Sequence, residues 1–249
     1  MVKAKSANWF EDWFNTKYYH DLYRHRDDSE AFDFVHALKN SFQWKANDTV
    51  LDVCCGNGRH ALNLEKMGMV TWGVDLSDDN IAMAKANSNF PDRWQVQDAR
   101  SLHLPNRFDV VLNLFTSFGY FEDDKEHEMM LDNIRQFLHP DGSFVLDFFN
   151  LDFVRSFMVH NEVQVGVLAN YHITRNIDSN WVRKEICFEV DGERMVFEEK
   201  VRALSAAEIQ QMLERVGFQV IAHLGDYQLS PFQANSPRSI FICKLQKVC

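Results

Sequence analysis

The chain has 249 residues, 46% of them hydrophobic and 25% charged, an ordinary globular composition with length for one large domain or two small ones and a sizeable core. A formal net charge of −10 opposes attraction to a phosphate backbone, so polynucleotide targets are set aside. No run approaches 18 uncharged apolar residues, and the start, MVKAKSANWFEDWFN, lacks an apolar signal core, which predicts no membrane contact and a cytoplasmic location.

In chain order, residues 1–45 read as a helical cover. Within them WFEDWFNTKYYHDLYRHR is unusually aromatic, and EAFDFVHALKNSF sets Phe32, Val35, Leu38 and Phe42 on one stripe at helical spacing. From residue 46 the pattern alternates. TVLDVC is a strand, GRHALNLEKMG a helix closed by Gly68, VTWGVD a strand, SDDNIAMAKANS a helix capped by Ser77, and RWQVQD a third strand. FDVVLNLF is a fourth strand, DDKEHEMMLDNIRQFL a helix stopped at His139-Pro140-Asp141-Gly142, and GSFVLDFFN a fifth strand. Apolar strands alternating with helices predict an α/β fold, a doubly wound three-layer sandwich over 46–150.

Residues 160–204 break that rhythm with period-two stretches around an Asp191-Gly192 turn, which predicts an antiparallel β insertion. Over 205–249, SAAEIQQMLERVGF is a Ser-capped helix ending at Gly217, and FQVIAHLGDY and RSIFICKL form an antiparallel strand pair. No repeat or linker divides the chain, so one domain with an insertion is expected. Five cysteines without a C-x-x-C pair and ten histidines without an H-x-x-x-H pattern predict reduced thiols and no metal.

The chemistry concentrates in VLDVCCGNGRHA. Read from Gly56, it fits the dinucleotide fingerprint, with Asp75 nineteen positions on. Read from Asp52, it carries a carboxylate at a strand tip, which repels a pyrophosphate and suits a ligand bearing an ammonium and a sulfonium. The stretch Asp52-Val53-Cys54-Cys55-Gly56-Asn57-Gly58 resembles motif I of the class I S-adenosylmethionine-dependent methyltransferases, acidic-x-Gly-x-Gly-x-Gly, with Cys54 at the first glycine.

That resemblance implies a seven-stranded, mostly parallel sheet with an antiparallel last strand. It also implies S-adenosylmethionine as cofactor, S-adenosylhomocysteine as its product, and a set of stations. Asp75, followed by Leu76, would take the ribose hydroxyls, and Asp98 the adenine amino group with the backbone of Ala99 beside it. The main chain at Asn113 and Leu114 would hold the methionine ammonium, Arg59 its carboxylate, and Tyr19, Tyr23 and Arg26 would close a lid.

Methyl transfer from a sulfonium is an in-line displacement that mainly needs alignment and exclusion of water, so no dedicated catalytic residue is assigned. The stretch after strand four, Asn113-Leu114-Phe115-Thr116-Ser117-Phe118, lacks the prolines of the family's base-methylating members, leaving a small-molecule acceptor. Candidates for its side of the site are Phe115, Phe118 and Tyr120, with Tyr171, His172, Arg175 and Arg183 from the insertion. The chain is expected as monomer or homodimer. An NAD-dependent oxidoreductase and a noncatalytic cofactor-binding scaffold remain open at this point.

Overall fold

A computed structural model describes residues 9–24 and 28–247. Helices α1 (Trp9–Phe14), α2 (Lys17–Leu22) and α3 (Asp28–Ser41) precede β1 (Thr49–Val53), α4 (Arg59–Lys66), β2 (Val70–Asp75), α5 (Asp78–Asn87) and β3 (Trp94–Val96). Next come β4 (Phe108–Asn113), α6 (Asp124–Gln136), β5 (Leu138–Phe149) and α7 (Leu151–Phe157). The chain then runs through β6 (Asn161–Val165), β7 (Asn170–Ile177), β8 (Trp181–Val190) and β9 (Glu193–Arg202). It closes with α8 (Ala206–Arg215), β10 (Phe218–Leu224) and β11 (Arg238–Leu245).

Seven strands form one sheet in the order β3-β2-β1-β4-β5-β11-β10, and only β11 runs against its neighbours. Both faces are buried, as a mostly parallel sheet requires. Val50, Leu112 and Val145 meet α3 and α4 through Phe34, Leu38 and Leu64. Leu51, Val111 and Leu146 share the opposite core with Leu131 of α6 and Leu213 of α8. Strand order reverses between β1 and β4, and in such sheets ligands bind beyond the carboxyl ends of the strands at that point. Among the described residues no helix is long and apolar enough to cross a membrane.

Three expectations need correction. The buried stripe of α3 is Ala31, Phe34, Val35 and Leu38. Phe32 lies one position off it, exposed and stacked on His36, because one residue turns the helix by about 100°. The His139–Gly142 stretch does not separate α6 from the fifth strand. It lies inside β5, where Leu138 pairs with Phe108 and Ser143 with Val110, so the extra residues bulge out of register. RWQVQD contributes only the three-residue edge strand β3.

Strands β6 to β9 make a separate antiparallel sheet in sequence order. Asp191 and Gly192, both at positive φ, form the two-residue hairpin turn that suits the twist of β8 and β9. Helices α1 and α2 pack on this sheet. Trp13 and Leu22 share a core with Tyr171, Ile173 and Phe188, and Asp21 accepts from the backbone of Val167 and Leu168 and from the Tyr171 hydroxyl, each at 2.8 Å.

His127 of α6 is fully buried against Phe118 and Phe121, and its Nε2 accepts from the Phe121 N–H. Burial holds its pKa down at about 4 against the opposing pull of Asp124. A histidine lowered on folding leaves the unfolded chain binding more protons, so its contribution is complete above pH 6.5 and is lost as pH falls toward 4. His127→Gln, which keeps an acceptor for Phe121, is expected to cost stability at pH 7 and to close that gap by about 2 kcal/mol at pH 5. Thermal melts of both proteins at the two pH values check this; a constant gap overturns it.

Candidate functional site

Residues 54–58 turn sharply out of β1 into α4. Cys54, Gly56 and Gly58 all have positive φ, and Gly58 donates to the Cys55 carbonyl. Cys54 sits in the left-handed region that costs an ordinary side chain about 1–2 kcal/mol; this is the position where the motif has glycine. At Gly58 a Cβ would lie 2.8 Å from the buried Trp94 indole and 3.2 Å from Ala84. Gly58→Ala therefore combines backbone strain with overpacking and is expected to destabilise by about 2–4 kcal/mol. Urea unfolding measures it, and a change below about 1 kcal/mol would show that Trp94 yields.

Asp75 ties this turn to β2, accepting from the Gly56 N–H at 2.8 Å with one oxygen and from the Ser77 N–H at 2.9 Å with the other. Burial raises its pKa despite these donors, and a carboxylate has further lone pairs for two more hydroxyls. Asp52 at the tip of β1 is 2% exposed. Its Oδ2 is buried without a hydrogen-bond partner. Burial, then the Asp75 carboxylate, push its pKa up to about 8 against the pull of the Ala61 N–H and Arg59.

Above this turn lies a cleft of about 640 Å³, within the usual size of a small-molecule site. Asp52, Cys54, Gly56 and Arg59 floor it; Leu114 and Phe115 after β4 form one side, and Tyr19 and Tyr23 of the N-terminal segment another. A smaller chamber of about 120 Å³ adjoins it, walled by Trp9, Phe14, Tyr120 and Val201 and sharing Tyr19, Tyr23 and Phe115 with the cleft. Asp75 and Glu199 line this chamber too.

Phe115 and Thr116 both have positive φ and are fixed from below. The fully buried Asp147 of β5 accepts from the Phe115 N–H at 2.8 Å and from the Tyr227 hydroxyl at 3.1 Å. Its other oxygen takes the Arg238 guanidinium at 2.7 Å, which also donates to the Thr116 hydroxyl. The guanidinium of Arg59 lies 5.1 Å from the Phe115 ring centre, a cation–π distance.

Asp52, Cys54, Gly56, Arg59, Asp75, Leu114, Tyr19, Tyr23, Phe115 and Tyr120 thus converge on the cleft and chamber, with Gly58 shaping the turn. Other expected residues lie outside these linings. Asp98 is clasped by Arg100, which also pairs with Glu126; burial raises its pKa, and Arg100 outweighs that to hold it below the usual carboxylate value. Ala99 is buried in the core and Leu76 is exposed. The Asn113 amide nitrogen donates to the Val53 carbonyl, and Arg26 lies outside the described residues.

On the acceptor side five assignments are corrected. Phe118 is core, packed against His127 and Phe148, and Tyr171 is fully buried with its hydroxyl on Asp21. His172 alternates onto the exposed outer face of β7, and Arg175 pairs with Glu162 at 2.6 Å. Arg183 likewise pairs with Asp178 and Glu198. The insertion contributes Glu199 and Val201 of β9 instead. Strand alternation was the available signal: Phe197, Glu199 and Val201 share one face, so the sequence sets a carboxylate between two apolar residues.

Residues 50–142 match the family model described as "Methyltransferase domain". A glycine/sarcosine N-methyltransferase of Aphanothece halophytica is 26% identical over 233 residues, covering 88% of this chain and 83% of that one. A dTDP-3-amino-3,4,6-trideoxy-alpha-D-glucopyranose N,N-dimethyltransferase of Streptomyces venezuelae is 31% identical over 100 residues, 40% of this chain and 41% of that one. Among solved structures, an S-adenosylmethionine-dependent methyltransferase from Clostridium acetobutylicum superposes with a TM-score of 0.77 at 21% identity, over 92% of this chain and 97% of that chain. With the glycine turn and buried carboxylates gathered at the switch point of the sheet, residues 50–142 resemble a methyltransferase domain, and the chain shares the fold of that solved S-adenosylmethionine-dependent methyltransferase.

Proposed function

We propose that the acceptor is the amine nitrogen of a small molecule, with the cofactor in the larger cleft and the amine entering the inner chamber. The reading rests first on Asp52: a buried carboxylate whose oxygen has no partner sits at the floor of the cleft, where a cation supplies what it lacks. The Asp52 carboxyl beside Asp75 opposes the pyrophosphate of a dinucleotide here. The nitrogen as acceptor atom rests on relatives that are both named as N-methyltransferases.

In this reading Asp75 holds the ribose hydroxyls with its remaining lone pairs, and Arg59 meets the cofactor carboxylate at the first turn of α4. The Leu114 carbonyl, which accepts from the Ser117 hydroxyl at 2.9 Å, offers a second lone pair to the ammonium. Tyr19 and Tyr23 cover the cofactor, and the insertion with β9 forms the acceptor side of a single domain. The bound cofactor supplies an electrophilic methyl group; the protein aligns the acceptor and excludes water.

Isothermal titration with S-adenosylmethionine, S-adenosylhomocysteine and NAD in parallel tests the cofactor assignment. Micromolar binding of the first two without NAD is the expected result; binding of NAD alone overturns it. Transfer of labelled methyl to an amine panel then tests the acceptor atom, and label found only on oxygen or carbon acceptors would remove the nitrogen.

A further inference from the structure

We propose that the inner chamber selects the positively charged head of an amine on an otherwise uncharged body, with Glu199 as its anionic anchor, and that it rejects amino-acid acceptors. This deepens the reading above and rests on it for the direction of the methyl group. Trp9, Phe14, Tyr19 and Tyr120 supply ring faces and edges to the chamber, Trp9 and Tyr120 meeting edge-on at 5.3 Å. Aromatic walls around a small volume suit a cation.

Two carboxylates, Glu199 and Asp75, line the chamber, and no arginine, lysine or histidine lines it among the described residues. A carboxylate-bearing substrate such as glycine would enter facing the like charge of Glu199 and Asp75, with Lys184 already engaged by Glu199, which is unfavourable when desolvated. An ammonium meets the opposite situation. The chamber's volume of about 120 Å³ equals roughly four water volumes, so only the head of the acceptor enters and its body extends outward.

Glu199 is held for this task from behind. The Trp13 indole N–H and the Tyr23 hydroxyl donate to it, each at 2.7 Å, and Lys184 stands 3.5 Å away and also contacts the Tyr23 hydroxyl. These contacts come from α1, from the turn after α2 and from β8, so the chamber wall is one packed unit of N-terminal segment and insertion. On the reacting path the ammonium gives one proton to the Glu199 carboxylate, which frees the nitrogen lone pair. That pair forms the bond to the methyl carbon as the carbon–sulfur bond breaks onto sulfur, and Glu199 releases its proton to solvent.

The test uses choline, its uncharged carbon analogue 3,3-dimethylbutan-1-ol, and sarcosine as probes, titrated into the full chain with and without saturating S-adenosylhomocysteine. Choline is expected to bind at least about tenfold more tightly than the neutral analogue, and sarcosine not to compete. Glu199→Gln is expected to remove most of choline's advantage while leaving S-adenosylhomocysteine affinity within about twofold of wild type. Equal binding of choline and its analogue by the wild-type chain, or preference for sarcosine, overturns the inference whatever the variant does. Loss of S-adenosylhomocysteine binding with choline still discriminated counts against the cofactor assignment alone and leaves the chamber as assigned.

Discussion

Replacing Asp52 by Asn is expected to weaken S-adenosylmethionine binding and, at the same time, to stabilise the free protein at neutral and alkaline pH. Both effects have one cause. The Asp52 carboxyl is buried beside Asp75 and held at about 8, so near pH 7 the free protein carries it mostly protonated. A ligand bringing an ammonium and a sulfonium restores the charged form and expels the proton. Between pH 6 and 7.5, below the ligand amino group's own pKa, affinity is expected to rise by up to about tenfold per pH unit in the wild type. It should stay nearly flat in Asp52→Asn.

The sign for stability is opposite to that of His127. A carboxyl raised on folding binds more protons in the folded than in the unfolded chain across the window from about 4 to about 8, so its unfavourable contribution grows as pH rises. Asp52→Asn removes it. The variant is expected to match wild type near pH 4.5 and to exceed it at pH 8 by on the order of a few kcal/mol. Titration calorimetry in two buffers of different ionisation enthalpy reads the expelled proton, and melts at the two pH values read the stability. PH-independent affinity in the wild type would falsify the role given to Asp52; S-adenosylhomocysteine, lacking the sulfonium, should lose less affinity than S-adenosylmethionine on substitution.

Local features carried much of this site into the sequence. The Gly56-Asn57-Gly58 turn, the strand-end carboxylates Asp52 and Asp75, and the Ser77 cap, which accepts from the Asn80 N–H, each follow from neighbours within a few positions. The alternation of strands and helices likewise set the parallel core. Alternation could place Glu199 on a face with Phe197 and Val201 but not at the site, and Asp147 was not legible, because each acts on residues far along the chain: Glu199 meets Trp13 186 positions away, and Asp147 meets Arg238 91 positions away. Tyr171 was misassigned for the same reason. On a two-faced strand a polar aromatic can face a ligand or a core, and only the packing of α2 against β7 decides which.

The second large effect is expected at Arg238. Asp147, at 0% exposure, has Arg238 as its ion-pair partner, and both reach the backbone or hydroxyl of the strained pair Phe115–Thr116. Arg238→Met strands a buried carboxylate and is expected to cost about 3–5 kcal/mol. Adding Asp147→Asn removes the stranded charge while its side-chain oxygen still accepts from the Phe115 N–H, so the double variant should regain at least about 1 kcal/mol over Arg238→Met alone. Its cofactor affinity should nevertheless stay below wild type. Phe115 forms the wall shared by cleft and chamber, and a neutral acceptor holds its left-handed backbone less firmly than the charged one. Chemical unfolding of the three variants with S-adenosylhomocysteine titrations separates the two consequences; additive losses would mean that Asp147 and Arg238 act independently, and the loop after β4 would then be held by its own packing.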